Sequence, residues 1–329
     1  MPTTLLMYDK ALARIGDRLR ALGLDLDIAT FDKSGRVTVR GETKAPRDVS
    51  VDYVWLSSDM NMDGFQEGGF DLALALGSAG VLQTYNAGLD HPFYKQMAAK
   101  GTRLCNSSAQ AVAISEFVFA QLLAVLQPIE EQRRLQAERQ WKITRYREIV
   151  GSTWLIVGYG PIGREIAKRA KAFGTRNLIV RRSPEVSGPV DVAGKLSDLP
   201  QLAPEVDVIV LACPLNGETR GFAGRDFFRQ VKPGAILINI ARGALIDDAA
   251  LIEALDEGRL SCAILDVFHE EPLPAASPLW AHPKVRLTSH TSFAGSGVRG
   301  RWDELFLDNI KRFARGVALA NEFNPRDFP

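Results

Sequence analysis

From residue 151 onward, short β-branched runs alternate with stretches of helical periodicity, and the alternation predicts a parallel sheet with helices on both faces. The runs are TWLIVGYG at 153–160, RNLIVRR at 176–182, VDVIVLACP at 206–214, AILINIAR at 235–242, CAILDVF at 262–268 and VRLTSH at 285–290. Together they describe a doubly wound nucleotide-binding domain. The first hundred residues repeat the alternation more weakly, with LLMYD, LDLDIATF, VDYVWLSS and TRLCN as strand candidates. A second, smaller α/β domain is implied.

Between the two lies SSAQAVAISEFVFAQLLAVLQ at 107–127, apolar on most faces, which predicts a buried helix packed between the domains. Pro128 ends that helix or opens the next, more polar one. Near the C-terminus Trp302, Leu305, Phe306, Asn309, Ile310 and Phe313 recur at three- and four-residue spacings, predicting a second long amphipathic helix over 296–315. It is expected to cross back to the first domain. The chain of 329 residues exceeds what one core organises. The expected division is a discontinuous substrate-binding domain, 1–106 plus 292–329, and a dinucleotide-binding Rossmann domain, 107–291.

Composition narrows the partners. With 46% hydrophobic and 24% charged residues the chain is of the ordinary soluble globular type. Forty basic residues against 39 acidic ones leave a formal charge of +1, and no long block of one sign occurs, so neither nucleic acid nor an anionic membrane is expected as a partner. Cys105, Cys213 and Cys262 are far apart in apolar surroundings, without the paired spacing of a zinc site or a disulfide framework. The start, MPTTLLMYDK, has no basic region followed by an apolar run, and no apolar stretch approaches the roughly 18 residues of a membrane span. A cytoplasmic protein with reduced thiols and no metal site is expected.

Gly158, Gly160 and Gly163 form G-x-G-x-x-G, with Pro161 and Ile162 inside it, directly after the first strong strand and before the helical run REIAKRAKAF. In that context the three glycines serve a tight turn, close approach of backbone to a pyrophosphate, and close helix-to-strand packing. The pyrophosphate would rest on the helix N-terminus, where unpaired N–H groups favour negative charge. The next strand commonly ends in an acidic residue that binds the adenine ribose. Here it ends in Arg181, Arg182 and Ser183. Two guanidinium groups and a hydroxyl suit a 2′-phosphate, so NADP(H) is expected, with NAD(H) as the alternative.

Chemistry in open α/β sheets collects outside the carboxyl ends of the strands. That rule selects Arg242 after AILINI, Asp266 and Glu271 after CAIL, and His290 after VRLT. Ile240, at the end of AILINI, is counted with the coenzyme-lining residues. Hydride addition to a ketone leaves charge on the carbonyl oxygen, so the site needs a proton donor and a cation for the neighbouring carboxylate. Histidine is the natural donor, and a carboxylate beside it favours the imidazolium and orients the ring. Arginine's fork can hold the substrate carboxylate and polarise the ketone. His290, Glu271 and Arg242 fill these roles. His282 precedes its strand and so lies at the wrong end of the sheet; His269 competes from a position three residues beyond Asp266; His91 could contact substrate from the first domain.

The ordered set GYGPIG, INIARGALID, ILDVFHEEPL and LTSH resembles the D-isomer-specific 2-hydroxyacid dehydrogenases, closely from about Ala87 to the C-terminal helix. The resemblance implies a bilobed enzyme with coenzyme and substrate in its cleft, and a family triad on Arg242, Glu271 and His290. It implies that the family's substrate loop corresponds to Asn86, Ala87, Gly88, Leu89 and Asp90, with the N–H groups of Ala87 and Gly88 binding the substrate carboxylate. It also implies that Asp266 contacts the nicotinamide carboxamide, that Cys213, Pro214 and Thr219 line the coenzyme, and that the protein is a homodimer joined through its coenzyme domain.

Departures matter too. Around the histidine the family more often has threonine-proline-histidine and then small residues, whereas Ser289, His290, Thr291, Ser292 and Phe293 stand here. The arginine pair resembles the NADPH-preferring glyoxylate and hydroxypyruvate reductase branch. The expected reaction is reduction of a small 2-keto acid of that kind to its 2-hydroxy acid. A phosphoglycerate dehydrogenase fits less well, since many carry an added regulatory domain. For a phosphorylated acid, Lys95, Lys100 and Arg103 would have to face the site; they are read as a solvated helix face. The alternative of another class is a coenzyme-binding redox sensor, like the related corepressors, without turnover.

Overall fold

In the computed structural model, which describes residues 2–183, 186–325 and 328, the chain divides into two compact units. One comprises Met1–Gln110 with Ser296–Pro329, the other Ala111–Gly295. Both are α/β, built on seven-stranded sheets dominated by parallel pairs.

The first unit contains β1 (Thr3–Tyr8), β2 (Leu26–Phe31), β3 (Val37–Val39), β4 (Glu42–Lys44), β5 (Ser50–Leu56), β6 (Ser78–Thr84) and β7 (Arg103–Cys105), in the order β4-β3-β2-β1-β5-β6-β7. The five strands β2-β1-β5-β6-β7 are parallel, the flavodoxin-like order, and the β3–β4 hairpin extends one edge antiparallel. Helix Asp9–Arg20 buries Ala11, Ile15 and Leu19, four residues apart, against the sheet. Three strands escape the periodicity argument. β3 and β4 are three residues each and largely polar. β6 begins with small residues because the chain runs so close to β5 that a side-chain carbon on Gly80 would sit 2.8 Å from the Asp52 carbonyl oxygen.

The C-terminal helix, Val298–Ala314, belongs to this unit. Phe306 stacks on Trp55 of β5 at 3.9 Å, and Phe313 meets Tyr53 edge-on at 5.4 Å. Asn309, fully buried in the apolar stripe, satisfies its amide by bonding both N–H and C=O of Ala320, which ties the tail to the helix. The helix is also held by charge: Asp303 pairs with Arg14, and Arg299 pairs with Asp59, which lies just beyond β5 and also binds Arg14 at 2.7 Å.

The second unit contains β8 (Thr153–Val157), β9 (Arg176–Val180), β10 (Val192–Gly194), β11 (Val208–Leu211), β12 (Ala235–Asn239), β13 (Leu260–Leu265) and β14 (Val285–Leu287). All pairs are parallel, in the order β10-β9-β8-β11-β12-β13-β14. The order reverses between β8 and β11, and that switch point is where such folds bind dinucleotides. Alternate residues feed cores on opposite faces: Leu155, Val157, Leu211 and Leu237 one side, Trp154, Ile156, Val210 and Ile238 the other. The buried helix starts at Ala111, not 107, and runs to Leu126, with Phe119 stacked on Trp154 at 5.1 Å; Pro128 caps the next helix, Ile129–Ala137. Among the described residues no single helix is long and apolar enough to cross a membrane.

Candidate active site

The glycine motif forms the turn between β8 and helix Pro161–Ala172, at the switch point. Gly158 has φ +103°, and a side-chain carbon there would lie 2.5 Å from the Ala212–Cys213 peptide after β11. Its N–H donates to the Val180 carbonyl of β9 at 2.8 Å, so three strand ends meet at this residue. Gly163 packs so closely on the Gly158 carbonyl that no side chain could intervene. Gly160 is different: a carbon added there meets nothing within 4 Å, and the residue caps the helix without any side-chain bond. The glycines at 158 and 163 are demanded by protein contacts, whereas the one at 160 keeps open the space in front of the helix's unpaired N–H groups. A pyrophosphate fits that space, with Pro161 and Ile162 as the first helical residues.

Around this turn, Arg181, Arg182 and Ser183 follow β9, and the Arg181 N–H donates to Gly194 at 3.0 Å. Cys213 follows β11 and is buried; burial pushes its thiol up to about 12. Thr219 folds its hydroxyl back onto its own turn, donating to the Pro214 carbonyl at 2.8 Å and accepting from the Asn216 N–H at 2.8 Å. That hydroxyl shapes the Pro214 turn. Ile240 is buried directly after β12.

The loops after β12, β13 and β14 emerge on the same edge. His290 Nδ1 lies 2.7 Å from Glu271 Oε2, and the other oxygen of Glu271 accepts the Phe268 N–H at 2.9 Å. Both side chains are part-exposed, His290 at 44% and Glu271 at 36%, which leaves the imidazole reachable by a ligand. His290 has φ +48°, a conformation that an L-residue adopts at some cost. Asp266 holds it there. Its carbonyl accepts the His290 N–H at 2.8 Å, and its fully buried carboxylate accepts the Thr288 hydroxyl at 2.6 Å and the N–H groups of Thr291 and Ser292 at 2.8 and 2.9 Å.

Arg242 is positioned by two residues that sequence reasoning passed over. Asn239, fully buried at the end of β12, accepts the Ala241 N–H at 3.1 Å and donates to the Arg242 carbonyl at 2.8 Å. Gly243 presses its Cα against the Phe268–His269 peptide, where a side chain would collide with backbone. The Arg242 loop is thereby locked to the segment that carries Glu271. The Arg242 guanidinium donates to the Ala241 carbonyl at 2.6 Å. The signal for Asn239 was present: an amide inside an otherwise apolar strand must find partners. Gly243 carried no comparable signal, because its need arises from a contact between loops.

The other histidines are engaged elsewhere. His269 Nε2 meets the Ile246 carbonyl at 2.8 Å, with Asp248 at 3.7 Å. His282 precedes β14 and pairs with Asp256 at 3.3 Å. His91, in the first unit, caps helix Pro92–Ala99. Also in that unit, the loop after β6 is fixed by its carbonyls: Ser107 N–H donates to Asn86 at 2.8 Å and the Asn106 amide to Ala87 at 2.7 Å. Among the described residues no acceptor bonds the N–H of Ala87 or Gly88, so both remain available to an anion.

A parallel sheet in the Rossmann order, with a glycine turn at its switch point and an imidazole–carboxylate pair on neighbouring strand ends, defines a dinucleotide-dependent oxidoreductase. The family model described as D-isomer specific 2-hydroxyacid dehydrogenase, NAD binding domain, matches residues 119–292, and the chain belongs to that family. It is 32% identical over 251 residues to a glyoxylate reductase of Korarchaeum cryptofilum, covering 74% of this chain and 76% of that one. It is also 32% identical over 262 residues to a D-3-phosphoglycerate dehydrogenase of Methanocaldococcus jannaschii, covering 77% of this chain but only 48% of that longer protein. Among solved structures, a D-isomer specific 2-hydroxyacid dehydrogenase from Xanthobacter autotrophicus in complex with NADPH and MES superposes with TM-score 0.78 at 25% identity, covering 99% of both chains.

Proposed function

We propose that the protein reduces a small 2-keto acid, glyoxylate or hydroxypyruvate, to the 2-hydroxy acid with NADPH. The observation that carries this reading is the His290–Glu271 pair at 2.7 Å on the strand edge that also bears the glycine turn. When bound, the reduced coenzyme supplies a hydride to the carbonyl carbon. His290 gives the proton from Nε2 to the carbonyl oxygen, so that C=O becomes CH–OH and the imidazole is left neutral. Glu271, on Nδ1, fixes the ring orientation and balances the imidazolium charge. Arg242 holds the substrate carboxylate and polarises the ketone. Asp266 seats His290 and would be the group that meets the nicotinamide carboxamide.

Gly158, Gly160, Pro161, Ile162 and Gly163 take the pyrophosphate, with Cys213, Pro214, Thr219 and Ile240 along the coenzyme. The unit of β8–β14 is assigned to coenzyme and that of β1–β7 to substrate. NADPH preference is supported by Arg181, Arg182 and Ser183 in place of a ribose-binding carboxylate, and by the NADPH in the similar Xanthobacter structure. A homodimer through the coenzyme unit is supported by Trp141, Ile143, Tyr146 and Val150, which expose 102, 89, 58 and 64% of their surface within one short segment of it. Three buried, unpaired thiols fit a cytoplasmic setting.

The test is a panel of glyoxylate, hydroxypyruvate, pyruvate and bulkier 2-keto acids against NADPH and NADH, repeated with His290→Ala. The small acids should turn over with NADPH, and the variant should lose roughly 10²–10⁴-fold in kcat while still binding coenzyme. Tight NADPH binding with no turnover on any acid would instead identify a redox sensor.

A further inference from the structure

Between the first two glycines of the motif stands Tyr159, a buried ring with an uncommon set of neighbours. Its hydroxyl donates to the Ser187 carbonyl at 3.1 Å, tying the phosphate turn to the segment beyond β9. Gly188, at φ +103°, permits that approach, since a side-chain carbon there would lie 3.0 Å from the Tyr159 oxygen. Over the ring sits the guanidinium of Arg164, 5.5 Å from its centroid, within cation–π range. Arg164 belongs to the first turn of helix Pro161–Ala172, its N–H donating to Gly160 at 3.0 Å, and it is exposed. Further along that helix Arg169 is paired with Glu165, and Lys171 with Asp191 at 2.7 Å. Among the described residues no carboxylate pairs with Arg164.

Stacking on Tyr159 thus turns a cation back toward the start of its helix, onto a ring whose hydroxyl reaches the segment beyond β9. Burial raises the Tyr159 hydroxyl above its ordinary range, and the charges of Arg164 and Arg181 act on it in the opposite sense. The Ser187 bond sets the ring that carries Arg164 against the segment that follows Arg181, Arg182 and Ser183. We propose that Arg164 is a further cationic group of the 2′-phosphate subsite, beside Arg181 and Arg182, and that Tyr159 is the residue that positions it. The inference rests on the NADPH reading above. It adds a determinant on the helix side of the site, where the glycine fingerprint by itself specifies none.

The experiment uses the full chain and two probes that lack nicotinamide: adenosine 2′,5′-bisphosphate, which carries the extra phosphate, and AMP, which does not. Calorimetry on Arg164→Gln should show the bisphosphate weakened about tenfold or more, the loss of one charge-assisted bond, with a much smaller change for AMP. The ratio of KM for NADPH to KM for NADH should rise in step. Tyr159→Leu should move the same ratio in the same direction. Tyr159→Phe should recover most of the difference, because it keeps the ring beneath the guanidinium. Equal weakening of both probes in Arg164→Gln, or of neither, overturns the proposal while leaving the NADPH reading intact. A wild-type protein that binds AMP as tightly as the bisphosphate overturns both.

Discussion

Replacing Asp266 by Asn would separate the architecture of the site from its chemistry, because the change preserves shape and removes an acceptor. The carboxylate is completely buried and receives three bonds: Thr288 hydroxyl and Thr291 N–H on one oxygen, Ser292 N–H on the other. An amide offers one oxygen. Whichever way it is turned, its NH2 group faces at least one N–H donor that then has no acceptor, at a cost of about 1–3 kcal/mol for a buried unmet group. The bonds that survive change from charge-assisted to neutral and weaken by about 1 kcal/mol each. The variant should therefore lose about 3–5 kcal/mol, a large share of the roughly 5–15 kcal/mol available to a folded domain.

The loss falls on the segment that places His290, whose backbone is already held at φ +48° and whose N–H bonds the Asp266 carbonyl. A misplacement near 1 Å is enough to cost about 10²-fold in rate. Guanidinium unfolding followed by tryptophan fluorescence measures the first quantity, and kcat with glyoxylate the second. Thr288→Val removes only one bond and should cost about 1–2 kcal/mol. If Asp266→Asn unfolded within 1 kcal/mol of wild type and kept its kcat, the claim that this carboxylate seats the histidine would be wrong.

Three other outcomes follow from the same structure. Gly243→Ala would drive a methyl group into the Phe268–His269 backbone, so the Arg242 loop must move by roughly an ångström; kcat/KM should fall about 10²-fold, and wild-type kinetics would show the two loops to be uncoupled. Burial raises the thiols of Cys105 and Cys213 to about 12 and of Cys262 to about 11, so iodoacetamide at pH 8 should modify none of them in the native protein and all three in denaturant; mass spectrometry reads the difference. For Asp59, burial acts to raise the pKa, but the bonds and charges of Arg14 and Arg299 prevail and hold it below the ordinary carboxylate value. Its stabilising contribution is thus complete above the unfolded-state pKa of about 3.9 and fades as pH falls through the lower folded-state value. Stability measured between pH 5 and 2 should fall less steeply in Asp59→Asn than in wild type, and identical slopes would contradict that ion-pair network.

How much of this was legible beforehand follows the range of the forces involved. The six strong runs after residue 151 became six of the seven strands of that sheet, because both faces of a parallel sheet are covered and each run must be apolar. The seventh, β10, is Val-Ala-Gly at the sheet edge, too short to show a period. β6 went unread because backbone proximity at Gly80 demands small residues where a periodicity argument looks for large ones. The same limit governs the site. His290, Glu271 and Arg242 were selected by the strand-end rule, and the structure joins the first two directly. Asn239 acts within its own loop, and an amide in an apolar strand is a signal for it; Gly243 and the anchoring bonds of Asp266 act on other loops, and no local pattern announces a partner that arrives from 20 or more residues away.

Those unannounced contacts share a design. Along the carboxyl edge of the second sheet, each loop is tied to the next through the main chain: the β8 loop to that of β11 by Gly158 against Ala212 and Cys213, β11 to β12 by the Ile240 N–H on the Leu211 carbonyl, β12 to β13 by Gly243 against Phe268, and β13 to β14 by Asp266 on His290. Two of the four ties exist only because a glycine has no side chain. A loop lashed at its backbone has fewer ways to drift than one held by side chains, whose rotamers each add freedom. The imidazole is consequently referenced, through four short steps, to the turn that would hold the coenzyme. Gly158 therefore matters for more than phosphate approach: widening its contact would disturb the first link of the series on which the setting of His290 depends.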